Sequence, residues 1–117
     1  MNASEAISEL NALSPNRYDD AQKRLWLHDL DGRIEKELGM DTAGDADNGA
    51  EAELLVPAPW ARDVYVNYLR ARVAQADAEA ERYNLYAAGY NSAYAEFAAW
   101  FIRTRQHPGR EEKGWMF

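Results

Sequence analysis

Two histidines, His28 and His107, are the first residues to weigh for metal ligation or proton transfer. Imidazole titrates near neutral pH and ligates metals in its neutral form. A helical di-metal centre takes Glu-x-x-His, because residues three apart share a helix face. Here the residue three before His28 is Leu25, and the one three before His107 is Thr104. No His-x-x-x-His pair occurs either. Changing both histidines to Ala is therefore expected to leave any biological activity intact.

The carboxylates lead to the same expectation. Helical nucleotide pyrophosphatases hold magnesium through Glu-x-x-Glu and Glu-x-x-Asp, but Glu35 and Glu37 stand two apart, as do Glu79 and Glu81. Residues two apart on a helix point to different sides. The run containing Asp41, Asp45, Asp47, Asn48, Gly49 and Glu51 is rich in oxygen ligands. An EF-hand needs oxygens at positions 1, 3 and 5, Gly at 6 and Glu at 12, and no register of this run supplies all of them. Arg70 with Arg72, and Arg103 with Arg105, straddle their helices instead of forming one basic patch. No Gly-rich phosphate loop or nucleophile elbow is found. With no cysteine, thiolate chemistry and thiolate metal sites are excluded. The expectation is a protein that is not an enzyme, with no catalytic, cofactor or metal site.

The elements that would position these residues are helical. Ile7, Leu10 and Leu13 recur at three-residue spacing, with Ser4 as the expected N-cap and Ser14-Pro15-Asn16 as the stop. A second helix is expected from Asp19, whose side chain and Gln22 approximate a capping box. Leu27, Leu30, Ile34 and Leu38 line its stripe, and Gly39 ends it. Gly32 interrupts that stripe and suggests close packing or a bend. Residues 40–53 are small and acidic and read as a mobile loop. Leu54-Leu55-Val56 with Pro57 and Pro59 reads as an extended strap or a short strand, with Pro59 as the first residue of the next helix. Helical periodicity then runs from Trp60 to Arg105. As one rod that segment would be about 65–70 Å long, too long for a domain of this size. A break near Asn84 or Gly89 is expected, the other solution being a long helix projecting into an oligomer. The predicted helices are thus 4–13, 19–38, 60–82 and 85–105. The predicted core comprises Leu27, Leu30, Ile34, Val64, Leu69, Val73, Tyr90, Phe97 and Phe101.

The chain has 117 residues, 47% of them hydrophobic, which suits one all-α domain, a small bundle of about four helices over residues 1–109 with a C-terminal tail at 110–117. No apolar run reaches the roughly 20 residues of a membrane helix, and the first residues lack the pattern of a signal peptide. The net charge is −7, with five Lys/Arg against thirteen Asp/Glu in residues 1–58 and eight against seven in the remainder. That balance repels nucleic-acid phosphates. The candidates for a protein interface are Leu54, Leu55, Val56 and Trp60, together with Trp115, Met116 and Phe117 in the tail, where three large apolar residues gain nothing in water.

Several segments carry a family resemblance. Trp26-Leu27 leads to Leu30-Asp31-Gly32-Arg33-Ile34. Glu53-Leu54-Leu55-Val56-Pro57-Ala58-Pro59-Trp60 follows, and then Tyr83-Asn84, Tyr90-Asn91-Ser92-Ala93-Tyr94 and Phe97. Together they resemble small phage and prophage structural proteins of the head–tail connector type (head completion, adaptor), over roughly residues 14–107. Trp60 and Tyr90 depart from the Tyr and Phe more usual there, and residues 110–117 lie outside the resemblance. The resemblance implies an all-α bundle that assembles as a ring beneath the portal, joining the portal vertex to tail or stopper proteins, with no enzymatic activity and no cofactor. The expected location is the virion, and the host bacterial cytoplasm during assembly. The subunit alone is expected to be a monomer or a weak oligomer. The alternative is a small helical regulatory interaction protein, an antitoxin-like or adaptor module. Gene neighbourhood separates the two: portal, protease and major capsid genes on one side of the choice, a toxin gene on the other.

Overall fold

The computed structural model describes residues 1–40 and 52–106, which form four helices. They are α1 (Ala3–Leu13), α2 (Asp20–Leu38), α3 (Ala61–Ala76) and α4 (Ala80–Gln106). The fold is all-α, and among the described residues the one extended pairing is an isolated antiparallel bridge between Asn2 and Glu53. The tail at 110–117 and the acidic residues 41–51 lie outside the described residues. The ends of the expected 40–53 loop are anchored: Met40 is half-buried against the core and Glu53 takes part in the bridge.

Local signals explain most helix boundaries. α1 is capped by Asn2 and not by Ser4. The Glu5 N–H donates to Asn2 Oδ1 at 2.8 Å, and the Asn2 N–H donates to Glu5 Oε1 at 2.9 Å. That reciprocal box needs a Glu or Gln three residues on, which Ser4 lacks, since Ile7 stands there. Asp19 caps α2 as expected, accepting from the Gln22 N–H at 3.0 Å. Gly39 ends it with φ +66°, a left-handed conformation that glycine adopts without steric penalty.

The long C-terminal periodicity is broken, but earlier than Asn84 or Gly89. α3 stops at Ala76, and Ala78 takes the left-handed conformation at φ +60°. The Glu79 N–H donates to the Ala74 carbonyl at 2.9 Å and the Ala78 N–H to the Gln75 carbonyl at 3.1 Å. This is the Schellman bond pattern, built on Ala where Gly is usual. Gly89 instead permits close packing, since a Cβ there would sit 2.8 Å from Asn67 Nδ2 on α3. Gly32, where close packing or a bend was expected, has open space where its Cβ would be. At the other end, Pro59 lies in the turn before α3, which begins at Ala61.

α3 is the central element. It packs along α4 on one side and against α1 and α2 on the other. The core joins Ile7 and Leu10 of α1, Trp26, Leu27, Leu30 and Ile34 of α2, Val64, Tyr65, Leu69 and Val73 of α3, and Phe97 of α4. Of the predicted core, Tyr90 and Phe101 are half-buried at its edge.

Candidate functional site

The segment 52–60 is held across the core as a strap, and α2 and α3 supply the clasp. Asp31 follows Leu30 on the edge of the buried stripe of α2. Its Oδ2 accepts the Leu55 N–H at 3.0 Å, and its Oδ1 accepts the Tyr65 hydroxyl proton at 2.6 Å. The Tyr65 oxygen in turn accepts the Val56 N–H at 2.8 Å. Two backbone donors that would lie unpaired in the interior are thereby satisfied. At the near end, the Leu54 N–H donates to the Met1 carbonyl at 2.9 Å.

Electrostatics follow from this burial. Asp31 is pushed above the usual carboxylate range by loss of solvent, opposed by the bonds from Tyr65 and Leu55. Tyr65 is raised well above an ordinary phenol, first by burial and then by the Asp31 charge. A phenol that holds its proton so firmly, with both neighbours engaged, positions backbone and is a poor proton-transfer group.

An aromatic ledge adjoins the strap. Trp60 meets Trp100 at a centroid distance of 5.0 Å and Phe97 at 5.8 Å. Further along α4, Tyr90 stacks on Tyr94 at 5.9 Å with 8° between planes, and Tyr68 of α3 tilts onto Tyr90 at 5.6 Å. Arg33 donates to the Tyr68 oxygen at 2.7 Å, and the Tyr94 hydroxyl donates to Glu37 at 2.9 Å. Burial raises the phenols of Tyr90 and Tyr94, helped at Tyr94 by the bond to Glu37.

At the opposite end a polar cleft of about 320 Å³ lies between the α1–α2 turn and the α3–α4 turn. Arg70 donates to Ser14 Oγ and to the Tyr86 oxygen, both at 2.9 Å, and its guanidinium lies 4.2 Å from the Tyr86 ring centre. Tyr18 donates to Asp77 at 2.6 Å, which raises its phenol. These groups are paired with one another and tie the two turns together.

The candidate interface residues divide. Val56 is a correction: it is fully buried within the chain's own core, because its N–H is committed to Tyr65 and its side chain packs inward. Leu54, Leu55 and Trp60 are half-buried at the core's margin. Trp115, Met116 and Phe117 lie outside the described residues, as do His107 and the residues weighed for calcium. His28 is exposed. Among the described residues no group of three His, Cys, Asp or Glu is placed to hold a metal ion, and no helix is long and apolar enough to cross a membrane. The arginine pairs split as expected for residues straddling a helix. Arg72 lies over the Trp26 ring while Arg70 faces the cleft; Arg103 and Arg105 are both exposed, and Arg105 donates to the Leu38 and Gly39 carbonyls.

Sequence reasoning missed Tyr65 and Lys23. Tyr65 was legible from its four-residue spacing to Leu69. Lys23, only 2% exposed, donates to Asn11 Oδ1 at 2.7 Å. It also pairs with Asp20 of its own helix at 3.5 Å, but nothing in the sequence pattern announces its burial, because the cover comes from α1. Compared with known proteins, the chain matches no family model, no curated protein and no solved structure.

Proposed function

We propose that the chain is a structural subunit of a tailed-phage or prophage virion, a head–tail connector that takes its place in a ring beneath the portal and joins the portal vertex to tail or stopper proteins. One observation supports the reading above others. The separate segments that carry the resemblance meet in space. Asp31, in the Leu30–Ile34 run, binds Leu55 of the strap directly and Val56 through Tyr65. Arg33 of the same run reaches Tyr68, which touches Tyr90 of the third segment. Trp60, which ends the strap segment, packs on Phe97. The motifs therefore describe one packing unit. In that unit Asp31 is bound by Tyr65 and the strap backbone, and Arg33 by Tyr68, in keeping with a scaffold role.

In this reading the half-buried Leu54, Leu55 and Trp60 and the Trp115-Met116-Phe117 sequence are the contacts made on assembly. The gene-deletion phenotype tests it. Loss of the gene from its source genome should yield filled heads and free tails that do not join, with rescue by the full chain expressed in trans. Rescue should fail for a chain lacking residues 110–117 whose far-UV circular dichroism is unchanged. Normal particle yield without the gene would overturn the proposal, and so would co-purification with an adjacent toxin in place of any virion protein.

A further inference from the structure

Among the described residues nothing packs on the outward side of α4, a face with a regular pattern. Leu85, Ala88, Ser92, Ala95, Ala99 and Ile102 are all exposed and alternate in steps of three and four residues. Phe97, on the opposite side of the helix, is fully buried. Leu85 is 65% exposed and Ile102 45%, the large residues at the two ends of the row, with small residues between them. Three-four alternation is the period of a two-helix seam. Small residues at the middle of such a seam let two backbones approach closely.

The spacing of the row and its pattern of large ends and small middle are the same in both directions. If a second α4 is laid antiparallel, Leu85 meets Ile102 of the second copy, Ala88 meets Ala99, and Ser92 meets Ala95. The charges follow the same rule. α4 carries Glu81 in its first turn and Arg103 and Arg105 in its last. All three are exposed, and Arg105 is already engaged by the end of α2. Antiparallel pairing sets the Glu81 end of each helix beside Arg103 of the other. A parallel pair would set Glu81 beside Glu81 and Arg103 beside Arg103.

We propose that this face of α4 is a self-association surface whose occupant is α4 of a second copy of the chain, in antiparallel register about a point between Ala93 and Tyr94. The row is about 25 Å long at 1.5 Å per residue. A strip of that length and one helix width, about 10–12 Å, covers roughly 250–300 Å² on each copy, about a third of what stable specific interfaces usually bury. The pair therefore forms at high protein concentration and dissociates on dilution. An isologous contact closes at two copies and does not propagate. Under the connector reading, which this inference does not require, the pair is a form of the free subunit that opens before ring assembly.

The chain has no cysteine, so single cysteines report the register directly. Leu85→Cys and Ile102→Cys proteins, one of them carrying a size tag, are mixed and oxidised. The antiparallel seam predicts a mixed 85–102 disulfide dimer as the main product. It also predicts little homodimer of either variant, because like positions lie about 25 Å apart, beyond the ~7 Å reach of a disulfide. Adding Ala95→Glu to both should reduce the mixed product at least tenfold. The proposal is overturned by three results: predominant homodimers, a mixed product no greater than that from an Asp29→Cys control on the exposed side of α2, or no effect of Ala95→Glu. The assay contains only the purified chain, so its failure leaves the connector proposal standing, and the gene-deletion result leaves this one standing.

Discussion

Replacing Tyr65 by Phe removes one oxygen atom and leaves the ring's packing volume in place. Tyr65 is fully buried, and that oxygen makes two bonds, accepting from the Val56 N–H at 2.8 Å and donating to Asp31 at 2.6 Å. After the change the N–H of Val56, itself fully buried, has no acceptor. Leaving a buried donor unsatisfied costs about 1–3 kcal/mol, and losing a bond to a charged acceptor about 1.5–3 kcal/mol. Asp31 is only half-buried, so part of its loss is recovered by water, and the sum is about 3 kcal/mol. For a domain of this size that lowers Tm by roughly 10–20 °C. Urea unfolding followed at 222 nm by circular dichroism measures it, with the denaturant slope unchanged because the buried area hardly changes. A loss below about 0.5 kcal/mol would refute the reasoning, since it would mean that the strap does not depend on the clasp.

Gly32→Ala on α2 should stabilise the fold by up to about 1 kcal/mol, because a Cβ there meets nothing within 4 Å and alanine is the better helix former; thermal unfolding checks the sign. Ala78→Gly should stabilise by about 1 kcal/mol by relieving the left-handed conformation at φ +60°, again read as a rise in the urea midpoint. In alkali the unfolded chain releases its tyrosine protons near 10.0, while folded Tyr65 keeps its own. The unfolded state then binds fewer protons than the folded one, so stability falls as pH rises through that value; urea midpoints compared from pH 9 to 11 should fall more steeply for the native chain than for Tyr65→Phe.

The helices were legible where local chemistry decides them. Asp19 caps α2, Gly39 ends it, and the apolar spacing of Leu27, Leu30 and Ile34 located the buried stripe. What was not legible depended on contacts between distant residues. The α3–α4 turn carries neither Gly nor Pro at Ala78, and its left-handed conformation is imposed by the need to fold α4 back onto α3. Gly89 suggested a break when read alone, and only the approach of Asn67 shows why a glycine belongs there. Val56 looked available for a partner as part of an aliphatic run, yet Asp31 and Tyr65, 25 residues before it and nine after, draw it inside. Asp31 itself stands within a segment on which the resemblance rested, but its role as a clasp appears only when the strap is in place.

The connector role is tested most directly by mixing the purified chain with purified portal assemblies encoded by the same genome and analysing the mixture by native mass spectrometry and electron microscopy. The account predicts a ring of added mass on one face of the portal, with several copies of the chain per portal and no bound metal or cofactor. A portal whose mass is unchanged at chain concentrations well above those found in infected cells would contradict it.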